Sequence, residues 1–145
     1  MVKLLDFFRL IRWKNLVIVA LTQYLIRYTL LIPFVEFLSL DDMQFLLLVV
    51  STVLIAAAGY IINDYFDIQV DQLNERKVIV GNNIKRREAM ALHFVFSGLG
   101  VGIGFYLGWK VGMWNLGFIN LFSASALWLY STHLKRNYLS GNLLI

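Results

Sequence analysis

Asn63-Asp64-Tyr65-Phe66-Asp67-Ile68-Gln69-Val70-Asp71 follows directly on an uncharged run from Met43 to Ile62. A run of that length is enough to cross the ~30 Å hydrocarbon core of a bilayer as one helix. If the helix continues into the motif, Asp64, Asp67 and Asp71 stand at i, i+3 and i+7. They then share one face, within roughly 60° of each other and over about 10 Å of rise. Carboxylates at a helix C-terminus meet the negative end of the macrodipole, so three together are unfavourable unless a cation lies near. At the mouth of a membrane bundle, this pattern points to a divalent metal held for a phosphorylated ligand.

The rest of the chain agrees with a membrane setting. Of 145 residues, 59% are hydrophobic and 15% charged, and the mean hydropathy is +0.69, well outside the range of soluble domains. One Pro and no Cys leave neither disulfides nor a zinc-thiolate site. The formal charge of +4 does not point to nucleic acid, because the basic residues sit at the ends of apolar segments. Met1 to Lys14 reads as an amphipathic interfacial lead-in. Lys3, Arg9, Arg12 and Lys14 are set against Leu4, Leu5, Phe7, Phe8 and Ile11, and Trp13 serves as anchor. No small-residue cleavage site follows a short apolar core, as a signal peptide would need.

The expected architecture is all-α, a polytopic transmembrane helical bundle forming one domain over residues 1–145. Four spans are expected: about Asn15 to Phe37, Met43 to Ile62, Ala89 to Trp109, and Val111 to about Thr132. Ser140 to Ile145 reads as the start of a fifth. Four Lys/Arg precede the first span, five lie between the second and third, and two follow the fourth. With alternating helices these groups share one side. That side is expected to be the cytoplasm, with the N-terminus and the Asp motif on it and the chain in the cell (inner) membrane.

An all-oxygen ligand set suits Mg²⁺, which is bound by one or two carboxylates plus substrate phosphates. The spacing is not that of an EF-hand loop, and zinc would call for His or Cys. Neither His93 nor His133 clusters with the motif in sequence. The plain alternative is a solvated acidic loop balanced by Arg76, Lys77, Lys85, Arg86 and Arg87. It leaves unexplained why spacing, face and position coincide with an amide, Asn63, at the membrane edge.

Asn63-Asp64-x-x-Asp67-x-x-x-Asp71 resembles the first aspartate-rich motif of the UbiA superfamily of intramembrane prenyltransferases. Arg9 to Leu16 is similar to the family's basic opening. Asn74 to Gly81 resembles the segment after the motif, and Tyr130 to Arg136 with Gly141-Asn142 resembles the end of the fourth helix and the start of the fifth. The loop departs from the family pattern in having no Pro and in being one residue shorter. A second aspartate-rich motif is absent from these 145 residues.

The resemblance implies about half of a nine-helix bundle. In the family, two Asp motifs hold Mg²⁺ around a polyprenyl diphosphate, and an acceptor in the membrane cavity attacks the allylic cation left when diphosphate departs. Carried over by position, Asp64, Asp67 and Asp71 are the metal ligands and Asn63 assists. Arg76 or Lys77, together with Lys135, contact the diphosphate. The Asp71 ending followed by Asn74 resembles members acting on a glycerol-phosphate-type lipid more than those acting on quinone precursors. A missing C-terminal half or a second chain would complete the site. The rival expectation is a half-bundle, inactive alone or dependent on a partner.

Other residues divide between binding and packing roles. Arg27, charged within a span, either contacts an anionic acceptor or phosphate, or pairs with Gln23 or reaches toward Glu36; the second is favoured. Lys85-Arg86-Arg87 either closes over the diphosphate or sets orientation. Gly98/Gly102, Gly100/Gly104 and Gly104/Gly108 suit close helix packing. Trp109 and Trp114 read as interface anchors, and His93 and His133 as helix-end polar residues. A CDP-alcohol phosphotransferase would need a D-G-x-x-A-R opening that the motif lacks, and a metal transporter would place its carboxylates at midplane.

Overall fold

The computed structural model describes residues 4–73 and 78–133. Among them every regular element is helical, with a single isolated bridge between Val80 and Ile84. In order these are α1 (Leu4–Leu10), α2 (Trp13–Ile26), a π-helical turn (Arg27–Leu31), α3 (Ile32–Phe34), α4 (Asp42–Phe66), α5 (Ile68–Leu73), α6 (Arg86–Val111) and α7 (Asn115–Thr132). Three segments are long and apolar enough to cross a membrane: Trp13–Phe34, Asp42–Phe66 and Arg86–Val111. A helix, α7, occupies the place of the fourth expected span, but it begins at Asn115, has 18 residues and is not among the three segments apolar enough to cross a membrane. It is shorter and more polar than the other three, with Asn115, Asn120, Ser123 and Ser125 along it. The expected fifth span lies outside the described residues.

The first span bends for a local reason. Proline at 33 has no N–H and its ring crowds the carbonyl four residues back. The turn before it opens to π geometry, with the Ile32 N–H bonded to the Arg27 carbonyl, as π-bulges do inside otherwise regular helices.

Helix α4 is the axis of the bundle. Asp41 caps its start, accepting from the Gln44 backbone N–H at 2.7 Å, while Gln44 Oε1 accepts from the Asp41 N–H at 3.1 Å. This reciprocal box satisfies two orphan donors and places acid at the positive end of the dipole. Phe45, Val49, Ile55, Ala57, Ala58, Ile61 and Ile62 are buried along its length, and it packs against α2, α6 and α7.

Small residues let α6 approach α4 and α7. A Cβ on Gly100 would come within 2.6 Å of Ile55 Cγ1 and 3.0 Å of the Ser51 carbonyl oxygen, and one on Gly104 would collide with Asn120. Ser51 Oγ donates to the Gly100 carbonyl at 2.7 Å, and Asn120 Nδ2 donates to Ser51 Oγ at 2.6 Å. The three helices are thus tied by a buried polar cluster. Gly98 and Gly102 differ: among the described residues a Cβ on either meets nothing within 4 Å, whereas the Gly100/Gly104/Gly108 stripe is in close contact. Helix α6 ends at Gly112, whose φ of 71° favours glycine.

At the motif end one expectation gains a contact and another is corrected. The lead-in is not without contacts to the bundle. Asp6 is 3% exposed, and Leu10 and Ile11 are buried. Phe7 meets Phe96 edge-on at 6.4 Å, while Leu4 and Leu5, over two-thirds exposed, point away. Asp6 explains the docking, since its carboxylate accepts from Asn83 Nδ2 at 2.8 Å and would be costly to bury without that bond.

Nor does α4 continue through the acidic motif. It ends at Asp67, with φ −88° and ψ 0°, and α5 follows. The carboxamide of Asn63 donates to Asp67 Oδ2 at 2.9 Å, the kind of local side-chain bond that competes with helix continuation. Backbone bonds from Asp67 N to Asn63 O and from Asp71 N to Asp67 O still bridge the break.

Candidate active site

The residue that anchors this end is Arg12, which motif spacing did not single out. Its Nη2 donates to Asp64 Oδ1 at 2.9 Å. The guanidinium lies 4.9 Å from the centre of the Tyr60 ring, within cation–π range. Arg12 sits between α1 and α2 with φ 51° and ψ 52°, a left-handed conformation uncommon outside glycine. The signal for it was present in the sequence, as one of the basic residues of the opening stretch, but only the fold brings position 12 to position 64.

Around this ion pair the motif is partly gathered. Asp67 and Asp71 lie close enough to Asp64 to act on its charge, as does Arg12. Asn63 is tied to Asp67 as described. Among the described residues no three His, Cys, Asp or Glu side chains stand together closely enough to form a ready-made cage for a metal ion. Asp67 stands at the break itself, with Asp64 on α4 and Asp71 on α5 to either side. Arg76, Lys77 and Lys135, expected at the diphosphate, lie outside the described residues.

Beside Asn63 is a cavity of about 320 Å³ between the α1–α2 junction, α4 and α7. Arg12, Tyr60 and Asn63 form one wall, and Leu127, Tyr130 and Ser131 another. Asn15 Nδ2 donates to the Tyr60 hydroxyl at 3.4 Å. The lining is mainly apolar carbon with a polar rim toward the motif, the character of a site for an amphiphile.

Arg27 does not join this site. It pairs with Asp42, Nη2 to Oδ1 at 2.8 Å, and donates to the Leu40 carbonyl at 3.2 Å. Its guanidinium stands 4.4 Å from the Phe45 ring centre. Asp42 and Asp64 are 22 residues apart on α4, or about 33 Å of rise. Arg27 is thus paired within the described residues, with Asp42 and neither Gln23 nor Glu36 as partner. Gln23 instead meets Thr52 at 3.3 Å. Arg27→Leu is expected to leave diphosphate affinity within about twofold and to cost about 1–2 kcal/mol of stability. Asp42, 87% exposed, remains solvated, so no buried charge is orphaned. Thermal unfolding in detergent beside pyrophosphate titration checks both halves.

His93 also differs from its expected role. It is buried, its Nδ1 is 3.0 Å from the Ala58 carbonyl, and its ring lies 5.1 Å from that of Trp128. It packs α6 against α4 and α7. His133 does sit at a helix end, as the residue after α7. Lys85, Arg86 and Arg87 are exposed at the start of α6, where Glu88 Oε2 accepts from the Lys85 backbone N–H at 3.1 Å.

A sequence model of the UbiA prenyltransferase family matches residues 16–145. The chain belongs to the UbiA prenyltransferase family. It is similar to the digeranylgeranylglyceryl phosphate synthase of Methanosarcina mazei, 37% identical over 93 residues that cover 63% of this chain and 30% of that protein. The synthase of the same name from Sulfolobus acidocaldarius is 38% identical over 104 residues, 68% of this chain and 34% of that protein. The one from Korarchaeum cryptofilum is 29% identical over 109 residues, 74% and 37% respectively. The chain spans about a third of the length of these curated relatives. No solved structure matches it. Within the UbiA frame, the motif at the end of α4 and the cavity beside it form the candidate site.

Proposed function

We propose that this chain takes part in Mg²⁺-dependent transfer of a polyprenyl group from a polyprenyl diphosphate to a lipophilic acceptor of glycerol-phosphate type. The observation that carries this reading is a mainly apolar cavity lined by Asn63 and Arg12, which hold Asp67 and Asp64 by direct bonds, in a chain of this family. The acceptor class rests on the names of the relatives, which favour a glyceryl phosphate lipid over the quinone precursors also expected from the sequence.

The donor set fits the metal. Asp64, Asp67 and Asp71 offer hard oxygen ligands, and Mg²⁺ takes only one or two protein carboxylates, completing its shell with water and phosphate oxygens. The lack of a three-ligand cage among the described residues is therefore compatible with it. When bound, the metal draws negative charge from the departing diphosphate. The chain's own residues do the rest. Asn63 holds Asp67 in place. Lys135 and Arg76 or Lys77 neutralise the leaving group as the allylic C–O bond breaks and its electron pair departs with the diphosphate. Ala56, Gly59 and Leu127 wall the prenyl chain from water, which would otherwise quench the cation. The faces of Tyr60 and Tyr130 stabilise positive charge beside them.

In this reading residues 1–145 form one membrane domain with residues 1–14 as lead-in. Four helices cross the cell membrane with the basic segments, the N-terminus and the motif on the cytoplasmic side. The rest of the bundle comes from further sequence or a second chain, and the greater length of the relatives supports that. The other reading is a half-bundle with no catalysis of its own, which the presence of only one Asp motif in these 145 residues favours. One assay separates them. The chain in lipid nanodiscs is given labelled geranylgeranyl diphosphate and either a prenylated glycerol phosphate or 4-hydroxybenzoate, with Mg²⁺ or EDTA. Product from the glycerol phosphate in Mg²⁺ alone supports transfer. No product with either acceptor, beside an active relative, rejects transfer by this chain.

A further inference from the structure

Arg12 is placed as a part that can change partners. Among the described residues it is the non-glycine residue with positive φ, and its side chain reaches from the α1–α2 junction to Asp64. It borders two spaces. One is the 320 Å³ cavity it shares with Asn63, Tyr130 and Ser131. The other is an outward groove of about 400 Å³ that it shares with Phe8, Trp13 and Asn15. Arg12 thus borders open space in addition to its bond to Asp64.

Asp64 carries the added repulsion of Asp67 and Asp71, and a positive charge beside it relieves that repulsion. A guanidinium does so with one charge. A divalent ion does so with two and by direct coordination, and the two compete for Asp64 Oδ1. Once released, a guanidinium in a cavity that also admits diphosphate has a better partner, since its planar fork matches phosphate oxygens.

We propose that Arg12 is the resident counter-cation of this site: it holds Asp64 until a divalent ion takes that carboxylate, and then turns to the diphosphate that arrives with the ion. The proposal rests on the reading of Asp64 as a metal-binding carboxylate. It makes Arg12 a positioning residue whose removal moves two affinities in opposite directions, which an anchor for α1 would not do. It also couples site occupancy to the α1–α2 junction, because the same residue supplies both.

The test uses the chain in lipid nanodiscs, with Mn²⁺ as the probe ion followed by electron paramagnetic resonance and inorganic pyrophosphate as the probe anion. Arg12→Gln is expected to bind Mn²⁺ about three- to tenfold more tightly than wild type. With Mn²⁺ saturating, it is expected to bind pyrophosphate on the order of tenfold more weakly. Arg12→Lys, which keeps the charge and loses the fork, falls between. Unchanged or weaker Mn²⁺ binding by Arg12→Gln, with wild-type binding still dependent on Asp64, overturns the proposal alone. A wild-type chain that takes no Mn²⁺, or takes it no better than Asp64→Asn, overturns the metal reading and this proposal with it. If Arg12→Gln loses helicity, hydrogen exchange of wild type decides. Faster exchange over residues 9–16 on adding Mn²⁺ supports the hand-over, and unaltered exchange rejects it.

Discussion

Replacing Asp67 with Ala is expected to lower Mg²⁺-dependent prenyl transfer by at least about 10³-fold. Asp67 has two roles, and only one survives in Asn. As the residue that ends α4 it needs a short polar side chain to pair with Asn63, and Asn supplies that. As a metal ligand it needs negative charge, which Asn lacks. Asp67→Asn should therefore match Asp67→Ala in lost transfer, measured with saturating diphosphate across a Mg²⁺ series, yet keep the wild-type circular dichroism spectrum. Transfer retained within tenfold in Asp67→Asn would remove Asp67 from the metal site and leave it as a helix-ending residue.

The second large effect concerns the bundle. Gly100→Val is expected to destabilise the chain by about 3 kcal/mol. The added Cβ meets Ile55 at 2.6 Å and the Ser51 backbone oxygen at 3.0 Å, and that oxygen belongs to α4 and cannot rotate away. The collision also pushes Ser51 from the Gly100 carbonyl, opening the polar cluster with Asn120. Gly102→Val, two residues along the same helix with nothing within 4 Å of its Cβ, should stay within about 0.5 kcal/mol of wild type. Thermal unfolding of both variants in the same detergent is the comparison. Equal losses would mean that α6 packs by a different face.

How far the sequence spoke follows from what each kind of signal depends on. Uncharged runs such as Met43 to Ile62 depend only on local composition, so α4 and α6 were legible within a few residues. The Asp motif, too, was visible as a pattern. Its shape was not. Whether the helix runs through Asp67 depends on a side-chain bond from Asn63 that competes with the backbone, and spacing alone says nothing about that. Gly98 and Gly100 look equivalent in a list of glycines, but they point to different sides of α6, and only the neighbours decide which one packs. The partner of Arg27 came from the start of the next span, and that of Asp64 from the lead-in, 52 residues away. Such pairings belong to tertiary structure. Asp6 shows the same limit, since an acidic residue in an amphipathic stretch reads as surface until Asn83 is found opposite.

The π turn before Pro33 has a consequence for inheritance along the chain. A helix that carries one extra residue in a single turn has absorbed a phase shift, so the segments on its two sides are set at a fixed rotational offset from each other. Trp13–Ile26 keeps its stripe of Leu16, Gln23 and Tyr24 toward α4, and the same helix still delivers Arg27 to Asp42. The protein's one proline thus works as a small gearbox. An apolar stripe followed at the regular helical period before Arg27 therefore does not stay in register beyond Leu31, and the two ends of this helix present differently phased faces.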